Sequence, residues 1–296
     1  MKKIFMLAAM FSLLSGSVVM TSCGDDEDED TNDTSTSTPA GNNGNTGDNT
    51  GNNAGNTGDN NTSVGNADKW ASLVNEDVKD SGINENGEFY YGGHTYKISG
   101  ELTAESLSSE SNRTALKAQV TFTNIPSGFA EFSTVYKEYL GKDVNGAAAM
   151  LVMAMEIYGR DNATGEKCLQ LICNSATASE ALRILKDRYS VKETDKDVAQ
   201  RYIAAALLKG ANRKNSYAPE YPYTIEFQGS ANAPQETHIP DWGMTYYLYA
   251  LGEGWDTNQR QCSEFLPEDE TLFVCSGFPS FYTQCQTIKG EWAGLK

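Results

Sequence analysis

Side chains suited to acid–base or nucleophilic chemistry are sparse in this chain: two histidines, His94 and His238, and six cysteines among 296 residues. Neither histidine has a second His or a Cys at metal-ligand spacing, so a zinc site has no basis. No nucleophile-elbow pattern marks an activated serine. The run Gly159-Arg160-Asp161-Asn162-Ala163-Thr164-Gly165-Glu166 offers oxygen ligands but lacks the alternating acids of a calcium loop, so a plain polar turn is expected there. No catalytic residue, metal ligand or cofactor is assigned, and a non-enzymatic role is favoured.

The remaining chemistry belongs to sulfur and to rings. If residues 267–270 form a four-residue hairpin loop, Cys262 and Cys275 fall opposite one another. Opposed Cβ atoms lie about 4.5–5.5 Å apart, near the disulfide range, so this pair is the disulfide candidate, with two buried thiols as the alternative. Cys168 and Cys173 point to different faces in either a helix or a strand. Aromatic residues are dense in the last third, and Trp242, Trp255, Tyr217 and Tyr221 are the candidate ligand-binding residues, because stacked rings beside polar groups suit sugars. Trp242 and Trp255 lie in the turn-like Asp241-Trp242-Gly243 and Gly254-Trp255-Asp256, at opposite ends of an expected strand of eight residues, which sets them some 27 Å apart. Most of these rings, however, have the spacing of core residues in a sheet.

The sixth cysteine has a different setting. Lys2 and Lys3 precede a mostly apolar run over 4–20, short for a spanning helix, which needs about 20 residues. Val19-Met20-Thr21-Ser22-Cys23 resembles a bacterial lipobox with Met20 in place of the usual Leu. The resemblance implies a signal peptide over 1–22 and lipidation of Cys23, whose acyl chains bury about 0.8 kcal/mol per CH2 in a membrane. The acidic run over 25–30 directly after it looks like the surface-export signal of lipoproteins in the Bacteroidota, which implies an outer-membrane, cell-surface location.

Residues 23–66 read as a disordered tether. A Gly/Asn/Thr-rich unit over 41–50 recurs over 51–62 without an apolar face to stack. Residues 24–65 as a Gly-rich coil have a root-mean-square span of roughly 30–40 Å. The whole chain carries a net charge of −17; without Lys2, Lys3 and the nine acids before residue 67, 21 basic and 31 acidic residues leave the remainder near −10. An acidic body without a basic stripe argues against nucleic acid as a partner.

The elements that position these residues follow from periodicity. Residues 67–125 read as a β-rich segment, with a hairpin turning at Gly92-Gly93 and alternation around Val120 and Phe122. Residues 126–296 read as an α+β domain. A helix is expected over 129–140; the next, capped by Asn145, is apolar nearly all round over 146–158 and therefore central. A capping box at Thr177 and Glu180 opens a third, with Ala178, Ala181, Leu182, Leu185 and Tyr189 on one face. A fourth is expected over 194–208, ended by Gly210. Strands are expected around Tyr223-Thr224-Ile225-Glu226-Phe227, over 244–251 with both faces covered, and over 259–265, 271–277 and 281–288. Helices followed by an antiparallel sheet make an α+β fold.

The helix over 147–158, the end Leu185-Lys186-Asp187-Arg188-Tyr189, and Asn215-x-Tyr217-x-Pro219-x-x-Pro222-Tyr223-Thr224-Ile225 resemble an uncharacterised C-terminal domain family of Bacteroidota surface lipoproteins, over roughly 125–296. The resemblance implies a compartment and a fold without an activity. Three functional readings stand: a non-enzymatic surface module for a glycan or a surface protein; a nuclear-transport-factor-2-like pocket domain that binds or hydrolyses a small molecule; and a structural part of a surface complex.

Overall fold

The computed structural model describes residues 79–190, 202–236, 243–268, 270–283 and 285–286. The segments expected to be a signal peptide and a tether, Cys23, Trp242, His238 and most of the expected helix over 194–208 lie outside the described residues.

Nine strands form one antiparallel sheet: β1 (Ser81–Ile83), β2 (Phe89–Tyr91), β3 (His94–Gly100), β4 (Lys117–Phe122), β5 (Tyr223–Gly229), β6 (Gln235–Glu236), β7 (Met244–Leu251), β8 (Gln259–Leu266) and β9 (Val274–Gly277). Their order is β1-β2-β3-β4-β5-β7-β8-β9, with β6 alongside the start of β7. The turn between β2 and β3 is Gly92-Gly93, both at positive φ, as the hairpin expectation requires. β4 pairs with β5 from Lys117↔Gln228 to Phe122↔Tyr223, so the β-rich segment and the C-terminal strands share one sheet.

Five helices follow the order α1 (Ala104–Ser109), α2 (Phe129–Glu138), α3 (Val144–Arg160), α4 (Asn162–Ile172) and α5 (Ser175–Arg188). This is the expected α+β architecture. Helix α3 is buried from Val144 to Met155 on every side, because its Ala and Met side chains let α2, α4 and the sheet close around it. Its cap is Asp143, whose carboxylate accepts from the N–H groups of Asn145 and Gly146; Asn145, the expected cap, instead donates its buried amide to Leu102 O at 2.7 Å. Helix α5 likewise starts earlier than its expected box: Asn174 accepts from Thr177 N, while Thr177 Oγ1 donates to Ser276 O.

The polar turn expected over 159–166 is helical. Only Asp161 separates α3 from α4, and it caps α4 by accepting from Ala163 N. The close approach requires Gly165, where a Cβ would sit 2.2 Å from Tyr158 Cα. After β5 the other departures are at the end of the chain: residues 279–282 form a 3-10 turn where a last strand was expected.

The space between helices and sheet is filled by Val120, Phe122, Phe129, Phe132, Tyr136, Phe227, Leu248 and the α3 side chains, all buried. The opposite sheet face differs. Strand β7, expected to be covered on both sides, buries Tyr246, Leu248 and Ala250 on the helix side and leaves Tyr247, Tyr249 and Leu251 half-exposed on the other.

Candidate functional site

Among the described residues no helix covers that second face, and the pleat makes its composition explicit. Registered neighbours point the same way, so two rows run across the strands: Ser99, Gln119, Glu226, Leu251 and Gln259; and Lys117, Gln228, Tyr249 and Gln261. Tyr247 lies two residues before Tyr249, opposite Ser263. The rings are thus on one strand, flanked by amides and hydroxyls.

These polar groups are held in place. Gln228 donates from Nε2 to Thr114 O at 2.6 Å and accepts on Oε1 from Gln259 Nε2 at 3.0 Å. Tyr247 OH reaches Gln235 Oε1 at 3.3 Å. Glu226 pairs with Lys209 at 3.0 Å. A depression of about 290 Å³ opens beside the tyrosines, lined by Ser99, Gly100, Lys117, Gln119, Glu226 and Leu251 among others. At its floor Gly100, at φ +123, packs on the backbone of Lys117 and Ala118 too closely for any side chain.

The residues expected to bind ligand are distributed differently. Trp255 is only 8% exposed, lies under the Arg260 guanidinium at 4.4 Å from its centroid, and donates its indole N–H to Thr283 O. Tyr217 is buried, stacked on Tyr202 at 5.4 Å, with its hydroxyl donating to Gln286 O. Gln286 N in turn donates to Gly254 O at 2.7 Å. Trp255 thus holds Thr283 and Tyr217 holds Gln286, and a cleft of about 380 Å³ is lined by Trp255, Asp256, Arg260 and Gln286. Tyr221 is 72% exposed and meets only Tyr223 edge-on among the described rings. Tyr247 and Tyr249 carried the signal for an open face, but their flanking apolar residues suggested a covered strand.

Two carboxylates set into the core mark the electrostatic extremes. Glu131 accepts from His94 Nδ1 at 2.5 Å, Tyr96 OH at 2.7 Å, and both Ser127 N and Ser127 Oγ at 2.8 Å. Burial works to raise its pKa, but these donors outweigh it and hold the carboxyl below the ordinary glutamate range. The ionised carboxylate accepts a hydrogen bond from Nδ1–H, which leaves His94 Nε2 to accept from Asn124 Nδ2 at 3.1 Å. His94 thus ties the hairpin to α2 through Glu131 and to the end of β4 through Asn124.

Glu264 is the reverse. It is fully buried on the core face of β8, where neither carboxyl oxygen has a hydrogen-bond partner among the described residues, and burial pushes its pKa well above the ordinary value, with the Cys275 thiol working the other way. The register explains why. The connection after β8 is longer than the four residues expected, so Glu264, not Cys262, stands opposite Cys275, with a bulge between Ser263 and Glu264 just beyond. The expected Cys262–Cys275 facing pair is therefore absent, and all five described cysteines are buried. Among the described residues no group of three His, Cys, Asp or Glu side chains is arranged to hold a metal ion.

Fold and site together define a class: an α+β domain with one sheet face sealed by helices and the other polar, tyrosine-bearing and partly exposed, with Thr245 and Phe265 buried at one end of it. The chain belongs to the family described as Domain of unknown function (DUF6935), whose model matches residues 124–289, 166 of the 296 residues. No curated protein and no solved structure matches the chain.

Proposed function

We propose that this protein is a Bacteroidota lipoprotein, anchored at the cell surface through lipidated Cys23, whose open sheet face binds a neutral extracellular glycan. The observation that carries the binding role is the pair Tyr247 and Tyr249, half-exposed on one strand and bordered by Gln228, Gln261 and Ser263. Tyrosine rings stack on the C–H faces of sugar rings while amides and hydroxyls bond to sugar hydroxyls. Alternate residues of a strand lie about 6.8 Å apart, so the two rings follow an extended chain better than a single small molecule. A body near −10 disfavours acidic polysaccharides, which favours a neutral one. The lipobox-like Val19-Met20-Thr21-Ser22-Cys23, the acids over 25–30 and the long tether support placement outside the cell, with the domain clear of the headgroups.

The test uses the full chain against immobilised neutral polysaccharides, a linear β-glucan, an α-glucan and a mannan. Binding to at least one is expected, and Tyr247→Ala with Tyr249→Ala is expected to weaken it at least tenfold, at about 1 kcal/mol per ring, with the far-UV spectrum unchanged. Trp255→Ala is expected to lower the melting temperature instead. No binding to any of the three, or undiminished binding by the intact double variant, overturns the reading.

A further inference from the structure

The cysteine that Cys275 meets across its free edge is Cys173. β9 is the last strand of the sheet, and its outer edge is taken up by the junction of α4 and α5: Cys173 and Cys275 form an isolated parallel bridge. Asn174 N donates to Cys275 O at 3.2 Å, and Thr177 Oγ1 donates to Ser276 O at 2.8 Å, which fixes the junction against the strand. The Cys173 side chain is also among the groups that act on the Cys275 thiol. Backbones paired in this way sit about 5 Å apart, inside the roughly 4.4–6.8 Å Cα separation that a disulfide spans. Cys262 has no such access. It opposes Leu248 on β7, and relative to Cys275 it is a diagonal neighbour, about 7–8 Å away between Cα atoms. Cys168 lies within α4.

The pair is also enclosed, with Cys173 2% and Cys275 1% exposed. Buried among apolar groups and beside Glu264, the Cys275 thiol is pushed well above its ordinary pKa, which makes it a poor thiolate once the core has closed. Oxidation thus belongs to folding rather than to the finished protein.

We infer that Cys173 and Cys275 are joined by a disulfide in the exported protein, a covalent seam between the α4–α5 junction and the edge strand β9. The step balances as a thiol–disulfide exchange: each sulfur gives up its proton, the pair gives up two electrons, and the disulfide of an envelope oxidoreductase or a small-molecule disulfide is reduced to two thiols. The seam rests on the export reading for its oxidant, since such bonds persist in oxidising compartments. It closes a loop of about 100 residues, long enough for a large effect on the unfolded chain.

The experiment is peptide mapping of the full chain isolated from the cell envelope, alkylated in denaturant without reductant. A linked Cys173–Cys275 peptide pair is expected, with Cys168, Cys262 and Cys285 alkylated. Reduction is expected to lower the melting temperature by about 10 °C in the wild type and in Cys262→Ser, and not in Cys275→Ser. A Cys262–Cys275 linkage, or five alkylated cysteines, overturns the inference whether or not the variants fold. In the second case, refolding in a glutathione redox buffer separates the causes. If Cys173–Cys275 then forms, the geometry stands and the export reading has failed; if it does not, the geometry has failed.

Discussion

At the scale of single residues the two core carboxylates make opposite claims on pH. Glu131 is held ionised by four donors, so its folded pKa lies below its unfolded value. Its contribution is present above about pH 4.5 and lost as pH falls through the folded value. Glu264 has a folded pKa far above its unfolded value. The native state holds its proton to higher pH than the unfolded chain does, so as pH rises above about 4.5 it subtracts stability, at most ~1.4 kcal/mol per pH unit, until the folded value is reached. Glutamine imitates the protonated acid without this linkage. Glu264→Gln is therefore expected to be neutral at pH 4 and stabilising at pH 7. Glu131→Gln, which sets an amide against Ser127 N–H and leaves donors unmatched, is expected to cost about 2 kcal/mol at pH 7 and less at pH 4. Urea unfolding from pH 4 to pH 8 checks both; a Glu264→Gln protein that is less stable than wild type at pH 7 would show that the carboxylate is ionised in the fold.

At the scale of elements, the contact between α3 and α4 makes the sharpest demand. Gly165 leaves no room for a methyl group, since the obstacles are Tyr158 Cα and N, which are backbone and cannot swing aside. Gly165→Ala gains helix propensity worth about 1 kcal/mol, yet overpacking of about 1–3 kcal/mol outweighs it. The expected outcome is a melting temperature some 5 °C lower in a differential scanning measurement, and a rise instead would mean that the helices separate at little cost. The same elements show what was legible beforehand. The all-round apolar run of α3, the Gly92-Gly93 hairpin and the alternation of β4 and β5 are local patterns, and each was readable. The α3–α4 join was not, because polar residues over 159–166 serve equally as turn or as helix surface, and only the packing of Gly165 on Tyr158 decides. The β8–β9 register was not readable either. It depends on a bulge and on the longer connection over 267–273, which is fixed by Tyr136 OH donating to Phe273 O and Phe273 N to Gly141 O, across more than 130 residues of chain. The open face was hidden for a related reason: Tyr247, Tyr249 and Leu251 look apolar in sequence, and which side the helices take is a tertiary choice.

At the scale of the whole molecule, the family match begins at residue 124, just after β4, whereas the sheet does not respect that point. Strand β5 lies between β4 and β7, and its core-facing Ile225 and Phe227 are buried with Val120 and Ala118 registered beside them. Removing everything before 124 bares the β5 edge, strips the cover from those side chains and removes Tyr96, a donor to Glu131. An unpaired edge of this kind recruits other chains. A chain of residues 124–296 is expected to aggregate or to elute as large oligomers in size-exclusion chromatography, while 79–296 elutes as a discrete species and unfolds cooperatively. The functional face is subject to the same cut. One of its rows runs from Ser99 on β3 through Gln119 on β4 to Glu226, Leu251 and Gln259, so the depression straddles the boundary. If residues 124–296 alone fold to a soluble monomer and retain glycan binding, the strands before 124 are dispensable and the tyrosines of β7 act without that depression. If the shorter chain fails while 79–296 binds, the cooperative unit and the binding unit are one object, larger than the family match.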